Sequence, residues 1–357
     1  MATQSNSKRQ KYTVIDRISA LPDSLLCQIL SLLPTKQAVV TTTLSTRWQP
    51  LWTMVPAFDF DDTEIQNQDY GNESMAITHF VCGFFTLRKP VPLKKFRLHL
   101  YNSSVYDPIL VHTWICYAIG HDLEELDLFL IRSHTFELPP SLFSCESLKI
   151  LSLNGKIPLN CPSSVHLPNL EILRLIEIKY ANDDSVRRLL TGCPNLIMFY
   201  IGRTQRDNVI TLLCLPRLKW FHIRDECQDH EFEIEMNASG CKNLYLYDLD
   251  FQNYLLVNTT NVVEATIRDL SERSEQDGQE NYSQCILKLL RALPNLHTLI
   301  LRYIKSLSVA STYDLPYFNN LRRIKLTVRC CKWHLLPYLL ERAQNLEDFV
   351  LVKVSKA

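Results

Sequence analysis

Apolar positions in this chain recur in a six-residue frame, apolar-x-x-apolar-x-apolar, that returns on average about every 25 residues. Copies start at Leu93 (LKKFRL), Leu123 (LEELDL), Leu148 (LKILSL), Leu170 (LEILRL), Leu196 (LIMFYI) and Leu218 (LKWFHI). Weaker copies start at Leu244 (LYLYDL) and Val262 (VVEATI), and three more at Leu296, Leu321 and Leu346. The last two apolar residues of each frame are two apart, so in an extended segment they share a face; each frame predicts a short strand. One such strand buries almost nothing, and the pattern predicts many of them stacked in parallel into a continuous apolar spine. Several segments between frames carry helix signals. Asp107-Pro108 reads as a cap followed by proline at the first helical position, with Gly120 past the end. Asp183-Asp184-Ser185 precedes an apolar run in the same way, and residues 283–292 place apolar side chains at helical spacing.

The spacing falls in the range of leucine-rich repeats. The predicted fold is α/β: a small helical module followed by an irregular repeat solenoid, with a curved parallel sheet and outer helices. Several frames share a preceding pair, Pro168-Asn169, Pro194-Asn195 and Pro294-Asn295, while the asparagine or cysteine usual after the last leucine is mostly absent. The residues between spine positions point away from the core and form the inner face of the arc. That face begins basic (Lys95, Arg97, His99) and turns acidic (Glu125, Asp127). Its middle is unusually apolar, with Ile150, Ile172, Ile176, Met198, Tyr200 and Trp220, followed by His222, Arg224, Asp248 and Asp250. Arg302, Arg323 and Lys325 come last. An exposed apolar cluster of this size marks a binding surface. The candidate binding residues are therefore Ile150, Ile172, Ile176, Met198, Tyr200, Trp220, His222 and Arg224, the tentative substrate-binding set if the repeats hold a target.

The first fifty residues follow another pattern. Leu21-Pro22-Asp23 opens a helix whose apolar residues Leu25, Leu26, Ile29, Leu30 and Leu33 recur at helical spacing, and Pro34 stops it. A second short helix runs from Thr35 to the Thr41–Thr43 stretch, and a third surrounds Arg47-Trp48, with Pro50 placed to shorten it. About forty residues bury little apolar surface alone, so this module completes its core against the repeats or another protein.

Composition narrows the function. Leucine occurs 57 times among 357 residues and glycine only 8 times, with no two glycines closer than ten residues. A phosphate-cradling loop needs clustered glycines, so nucleotide-binding loops are excluded. Lys and Arg number 38 against 38 Asp and Glu, which supplies no broad basic field for nucleic acid. Apolar runs such as Phe80 to Phe85 are far too short to span a bilayer. The 12 cysteines show no C-x-x-C spacing, and the polar start of the chain lacks the apolar centre of a signal peptide. Reduced thiols in the cytoplasm and/or nucleus are expected. No H-x-x-x-H pair occurs, and the carboxylate pairs Asp59/Asp61, Glu233/Glu235 and Asp248/Asp250 lack His or Cys partners at ligand spacing. Neither metal, cofactor nor catalytic group is expected. The acidic stretch Ser271–Asn281 reads as a solvated connector.

The N-terminal module closely resembles an F-box of the plant F-box/leucine-rich-repeat type. The matching residues, ungapped, are Asp16-Arg17-Ile18-Ser19, Leu21-Pro22-Asp23, Leu25, Ile29-Leu30-Ser31, Leu33-Pro34-Thr35, Ala38-Val39, Thr41, Leu44-Ser45, Arg47-Trp48 and Leu51-Trp52. Residues 318–351 resemble the opening half of the FBD region that closes such proteins, with Ala343-Gln344 in place of Ser-Pro. The expected divisions are an N-terminal stretch (1–14), the F-box (15–56), a linker and first helical return segment (57–92), repeats (93–317) and a last-repeat, partial FBD-like segment (318–357).

The resemblance implies a non-catalytic substrate adaptor of an SCF-type ubiquitin ligase. It implies docking on a Skp-family adaptor, and through it on a cullin-RING scaffold, while the repeats bind a target protein. On that resemblance the adaptor-binding positions are Leu21, Pro22, Leu25, Ile29, Leu30, Leu33, Pro34, Leu44 and Trp48. Leu26, Val39 and Leu51 read instead as internal packing. A receptor for a small hormone-like ligand, to which the basic start of the inner face points, and a repeat scaffold outside any ligase remain open alternatives.

Overall fold

The computed structural model describes residues 17–18, 20–64, 73–101, 106–131, 136–181, 183–203, 215, 217–225, 234–237, 239–247, 254–268, 279–304, 315–328 and 335–354. Residues 1–14, Asp16, Ser19, Asp248, Asp250 and residues 271–278 lie outside these. Each frame becomes a strand of five or six residues: β1 (Ala57–Asp61), β2 (Lys95–Leu100), β3 (Glu125–Leu130), β4 (Ile150–Gly155), β6 (Ile172–Ile176), β8 (Met198–Arg203), β9 (Trp220–Asp225), β11 (Asn243–Tyr247), β13 (Glu264–Arg268), β14 (Thr298–Arg302), β15 (Arg323–Val328) and β16 (Asp348–Lys353). They join in that order into one 12-stranded sheet, every pairing described being parallel. Two short parallel pairs, β5 (Pro158–Leu159) with β7 (Lys179–Tyr180) and β10 (Ile234–Asn237) with β12 (Tyr254–Val257), lie in return segments.

The ladder corrects the sequence reading twice. Leu244 pairs with Phe221 and Leu246 with Ile223, so the seventh frame starts at Cys241 rather than Leu244. Steps from Leu218 to Cys241 and from Cys241 to Val262 are then 23 and 21 residues, more regular than the frame at Leu244 allowed. An additional strand, β1, lies inside the segment expected as a linker. Its frame is Val55-x-x-Phe58-x-Phe60, and Phe58 pairs with Phe96 of β2. The closing FBD-like segment supplies β15, β16 and the helix between them, so it extends the same sheet.

Spine positions are almost wholly buried: Leu126, Leu128, Leu151, Leu153, Leu173, Leu175, Phe199, Ile201, Leu299 and Leu301 belong to one continuous core. Helices α3 (Glu73–Leu87), α4 (Pro108–Ile119), α5 (Asp183–Thr191), α6 (Gln279–Arg291) and α7 (Leu335–Arg342) fill return segments. Asp107 caps α4 as its sequence predicts, its carboxylate accepting from Ile109 N at 2.9 Å. The Pro-Asn pairs also find a physical cause. Each asparagine amide donates to a backbone carbonyl of the preceding turn: Asn169 to Glu146 at 2.9 Å, Asn195 to Pro168 at 2.7 Å and Asn295 to Thr260 at 2.8 Å. Asn345 does the same to Asn319 at 2.7 Å. The residue tying turn to turn therefore stands before the frame, not after it. Gly155 ends β4 at φ 102, where an added Cβ would lie 2.1 Å from the Leu130 carbonyl oxygen.

The F-box closes the N-terminal end of the solenoid. It comprises α1 (Asp23–Leu30), α2 (Thr35–Val40) and 3-10 segments at Thr41–Thr43 and Leu51–Met54; the expected third helix is reduced to turns and 3-10 geometry. Its core of Leu26, Cys27, Leu30, Ala38, Trp48, Leu51, Val55 and Ala57 adjoins the solenoid core, with Trp52 packed against both. An edge strand leaves backbone donors unpaired, and here the buried Thr35 hydroxyl accepts from Asp59 N of β1 at 2.8 Å. Arg88, buried just beyond α3, donates to the carbonyls of Val55 at 2.6 Å, Val91 at 2.9 Å and Pro92 at 2.6 Å. Its guanidinium also lies 5.6 Å from the Phe84 ring centroid.

Arg88→Met keeps the apolar stem but strands three carbonyls. It is expected to lower the unfolding free energy by roughly 3 kcal/mol, read as a urea-midpoint shift at unchanged slope. An unchanged midpoint would show that water replaces the guanidinium at this junction without cost.

Candidate functional site

Two surfaces emerge from this architecture, one on the F-box and one on the solvent side of the long sheet. The first begins with α1. Asp23 at its first turn is held by Arg47, whose Nη2 lies 2.7 Å from Asp23 Oδ1 and also donates to the Leu21 carbonyl. The adjacent Trp48 fills the core. With that anchor set, α1 turns Leu26, Cys27 and Leu30 inward and leaves Leu25 and Ile29 43% and 42% exposed. Leu44 is 64% exposed and Pro22 is exposed, while Leu21, Leu33 and Pro34 are partly buried. Of the expected adaptor-binding positions, Leu30, at 1% exposure, and Trp48, at 6%, lie in the core of the module, helical spacing putting Leu30 on the Leu26 face. Leu26 and Leu51 are buried as expected. Three exposed apolar residues were missing from the candidates: Ile18, Leu32 and Val40.

The second surface is ordered by the ladder into three ranks, one per outward position of the strands. At the N-terminal end its charges are consumed internally. Arg97 Nη1 lies 2.6 Å from Asp59, Nη2 lies 3.3 Å from Asp61, and Nε lies 3.8 Å from Asp127. His99 Nε2 lies 3.1 Å from Asp127, and Lys95 pairs with Glu125 at 3.3 Å. Burial by itself raises the Asp127 carboxyl, but hydrogen bonds from His99 and Ser152 and the charge of Arg97 hold it below its ordinary value. The basic opening of the face, which pointed to an anionic ligand, is thus neutralised by its neighbours. The Asp59/Asp61 pair is occupied as well.

The middle of the face gathers all eight predicted substrate-binding residues. Ile150, Ile172, Met198 and Trp220 follow one another along the first rank. Tyr200 and His222 are neighbours on the second, and Ile176 and Arg224 lie on the third. Arg224 is exposed and the others are half-buried. The ladder adds residues the slipped frame concealed. Tyr245 and Tyr247, not Asp248 and Asp250, are the outward residues of β11. The His222 ring stacks on Tyr245 at 4.2 Å between centroids, Trp220 stacks on Tyr245 at 5.7 Å, and Tyr200 packs on His222 at 5.8 Å. Arg174, on the second rank between Ser152 and Tyr200, breaks the apolar run.

These rings are partly withdrawn from water. Burial, together with the Glu264 carboxylate that accepts its hydroxyl at 3.4 Å, pushes the Tyr245 phenol up to about 12. Burial also raises Tyr247, against the pull of Arg302 and Arg268. Burial lowers His222, and the charge of Arg174 lowers it further. Burial pushes the thiols of Cys161, Cys193 and Cys241 up to about 12, which keeps them protonated and poor nucleophiles at neutral pH. Among the described residues no group of three His, Cys, Asp or Glu side chains is placed to hold a metal. What this face presents is an aromatic shelf with guanidinium groups beside it.

The His222 ring is expected to titrate below the ordinary value of about 6.5 in a nuclear magnetic resonance pH series. Arg174→Gln, which removes one of the two causes, should move its midpoint upward. A midpoint unaffected by that substitution would place Arg174 too far away to act on the ring.

Comparison with known proteins agrees with this geometry. The F-box domain model matches residues 18–59, and a model described as FBD-associated F-box protein At5g56370, LRR repeats, matches residues 111–252. Among the proteins to which the chain is similar are three from Arabidopsis thaliana. It is 30% identical to F-box/FBD/LRR-repeat protein At1g78750, over 94% of this chain and 77% of that protein. It is 32% identical to F-box/FBD/LRR-repeat protein At4g00160, over 89% and 73%. It is 30% identical to F-box/LRR-repeat protein 13, over 96% and 77%. A helical module that caps a parallel repeat sheet, and these similarities along nearly the whole chain, place the protein in the F-box/FBD/LRR-repeat family.

Proposed function

We propose that this protein is a substrate-recognition adaptor of an SCF-type ubiquitin ligase, acting in the cytoplasm and/or nucleus. The F-box docks on a Skp-family adaptor and through it on a cullin-RING scaffold, while the outward face of the repeats holds a target protein. The chain itself performs no chemistry. It acts by keeping a target lysine near the ubiquitin carrier, which raises effective concentration without a catalytic side chain. The observation that carries this reading is the division of apolar residues on the F-box. One set closes its core, whereas Leu25, Ile29, Leu32, Val40 and Leu44 remain exposed on a module of about forty residues. A small domain exposes that much large apolar surface where a partner covers it.

Replacing Leu25 and Ile29 together with Asp is expected to abolish co-purification with a Skp-family adaptor while the circular dichroism spectrum stays unchanged. Alanine at both Leu21 and Pro22 should weaken the same binding. Leu30→Ala should act differently, lowering stability by roughly 2–5 kcal/mol through a cavity in the F-box core. Full adaptor binding by the Asp double variant would sink the assignment.

A further inference from the structure

Charge on the outward face is unevenly satisfied. At its N-terminal end Arg97 is surrounded by Asp59, Asp61 and Asp127, and near the other end Arg323 pairs with Asp348 at 2.8 Å. Between them, from β4 to β14, the three ranks hold four arginines (Arg174, Arg224, Arg268, Arg302) and one carboxylate, Glu264. Glu264 is engaged by Tyr245. Among the described residues no carboxylate forms an ion pair with Arg174, Arg268 or Arg302. Arg268 and Arg302 are register partners on adjacent strands, about 4.8 Å apart across the ladder. The Nε atom of each is buried without a hydrogen-bond acceptor. Arg268 lies 6.0 Å from the Tyr247 ring centroid and 5.9 Å from that of Tyr303, which orients its guanidinium. Two like charges side by side, each with an unfilled buried donor, are a costly arrangement unless an anion completes it.

We infer that this part of the face recognises an extended acidic peptide, with carboxylates on Arg268 and Arg302 and an apolar side chain on the shelf of Met198 and Trp220. This deepens the reading in which the repeats hold a target protein, and rests on it. The two subsites lie diagonally across the sheet. Trp220 stands on the first rank and Arg268 on the third, two strands further on. At the usual strand spacing and rise, that is roughly 16 Å, about five residues of extended chain. The acidic groups flanking the arginine-rich stretch argue against nucleic acid, whose phosphate backbone needs a continuous basic track. They suit a short segment whose negative charge is local.

Random-peptide display on the full chain, co-purified with a Skp-family adaptor where that complex forms, tests the inference. Selected peptides should be enriched in Asp and Glu, with an aromatic or aliphatic residue about five positions from the acidic pair. Arg268→Glu combined with Arg302→Glu should erase the acidic enrichment and weaken the best selected peptide at least about tenfold in fluorescence anisotropy. Trp220→Ala should weaken it by about the same factor. Where the Glu variant fails to fold, Arg268→Gln with Arg302→Gln replaces it, with its melting temperature compared with the parent. Selected peptides without acidic bias, or a bias that survives in the double variant, overturn the inference. Loss of adaptor co-purification with intact peptide selection counts against the ligase reading alone.

Discussion

A strand of five or six residues with apolar side chains on one face cannot stay folded alone, and everything else in this molecule follows from giving each one parallel neighbours. The backbone ladder supplies the pairing, and the spine of leucines behind it supplies the burial. Because the ladder is in register, every outward side chain is also placed in a rank, so the constraint that stabilises the fold arranges the surface. The asparagines that precede several frames reinforce it from the side, tying each turn to the carbonyl of the turn before.

A stacked sheet has ends, and here the N-terminal end is closed by the F-box. Thr35 satisfies a β1 donor and Arg88 gathers three carbonyls where the F-box meets the repeats, with aromatic rings packed behind it: Phe58 lies 4.8 Å from Phe84 and 5.1 Å from Phe96. The module therefore has two apolar sides. One is consumed in capping, and the other faces solvent. The opposite end differs: Phe349 and Leu351 of β16 are exposed, although the residues they pair with, Ile324 and Leu326, are buried.

Most of the ladder was legible because a frame is a local pattern, and burial follows its period. The failures were also local in origin. In LYLYDL, leucine and tyrosine alternate so evenly that two frames fit, and only pairing with Phe221 and Ile223 selects the one beginning at Cys241. The frame at Val55 was hidden by Pro56 and by its place beside the F-box helices. On the F-box, helical spacing alone did not separate the exposed Leu25 from the buried Leu26, and it could not show that Trp48 points inward. Trp48 packs on residues from Leu26 to Ala57, partners that only the folded module brings together.

By itself the sequence determined the repeat, the separate helical module, and which residues of most strands face outward. These depend on spacing along the chain. The tertiary structure alone decided which outward charges cancel and which remain. Arg97 meets Asp59 and Asp127 only because three turns of the solenoid align, and Arg268 stands beside Arg302 because their strands pair across a gap of more than thirty residues. Electrostatics acts through space, with no regard for sequence distance. The charge pattern of the face was therefore settled by stacking, after composition and periodicity had said all they could.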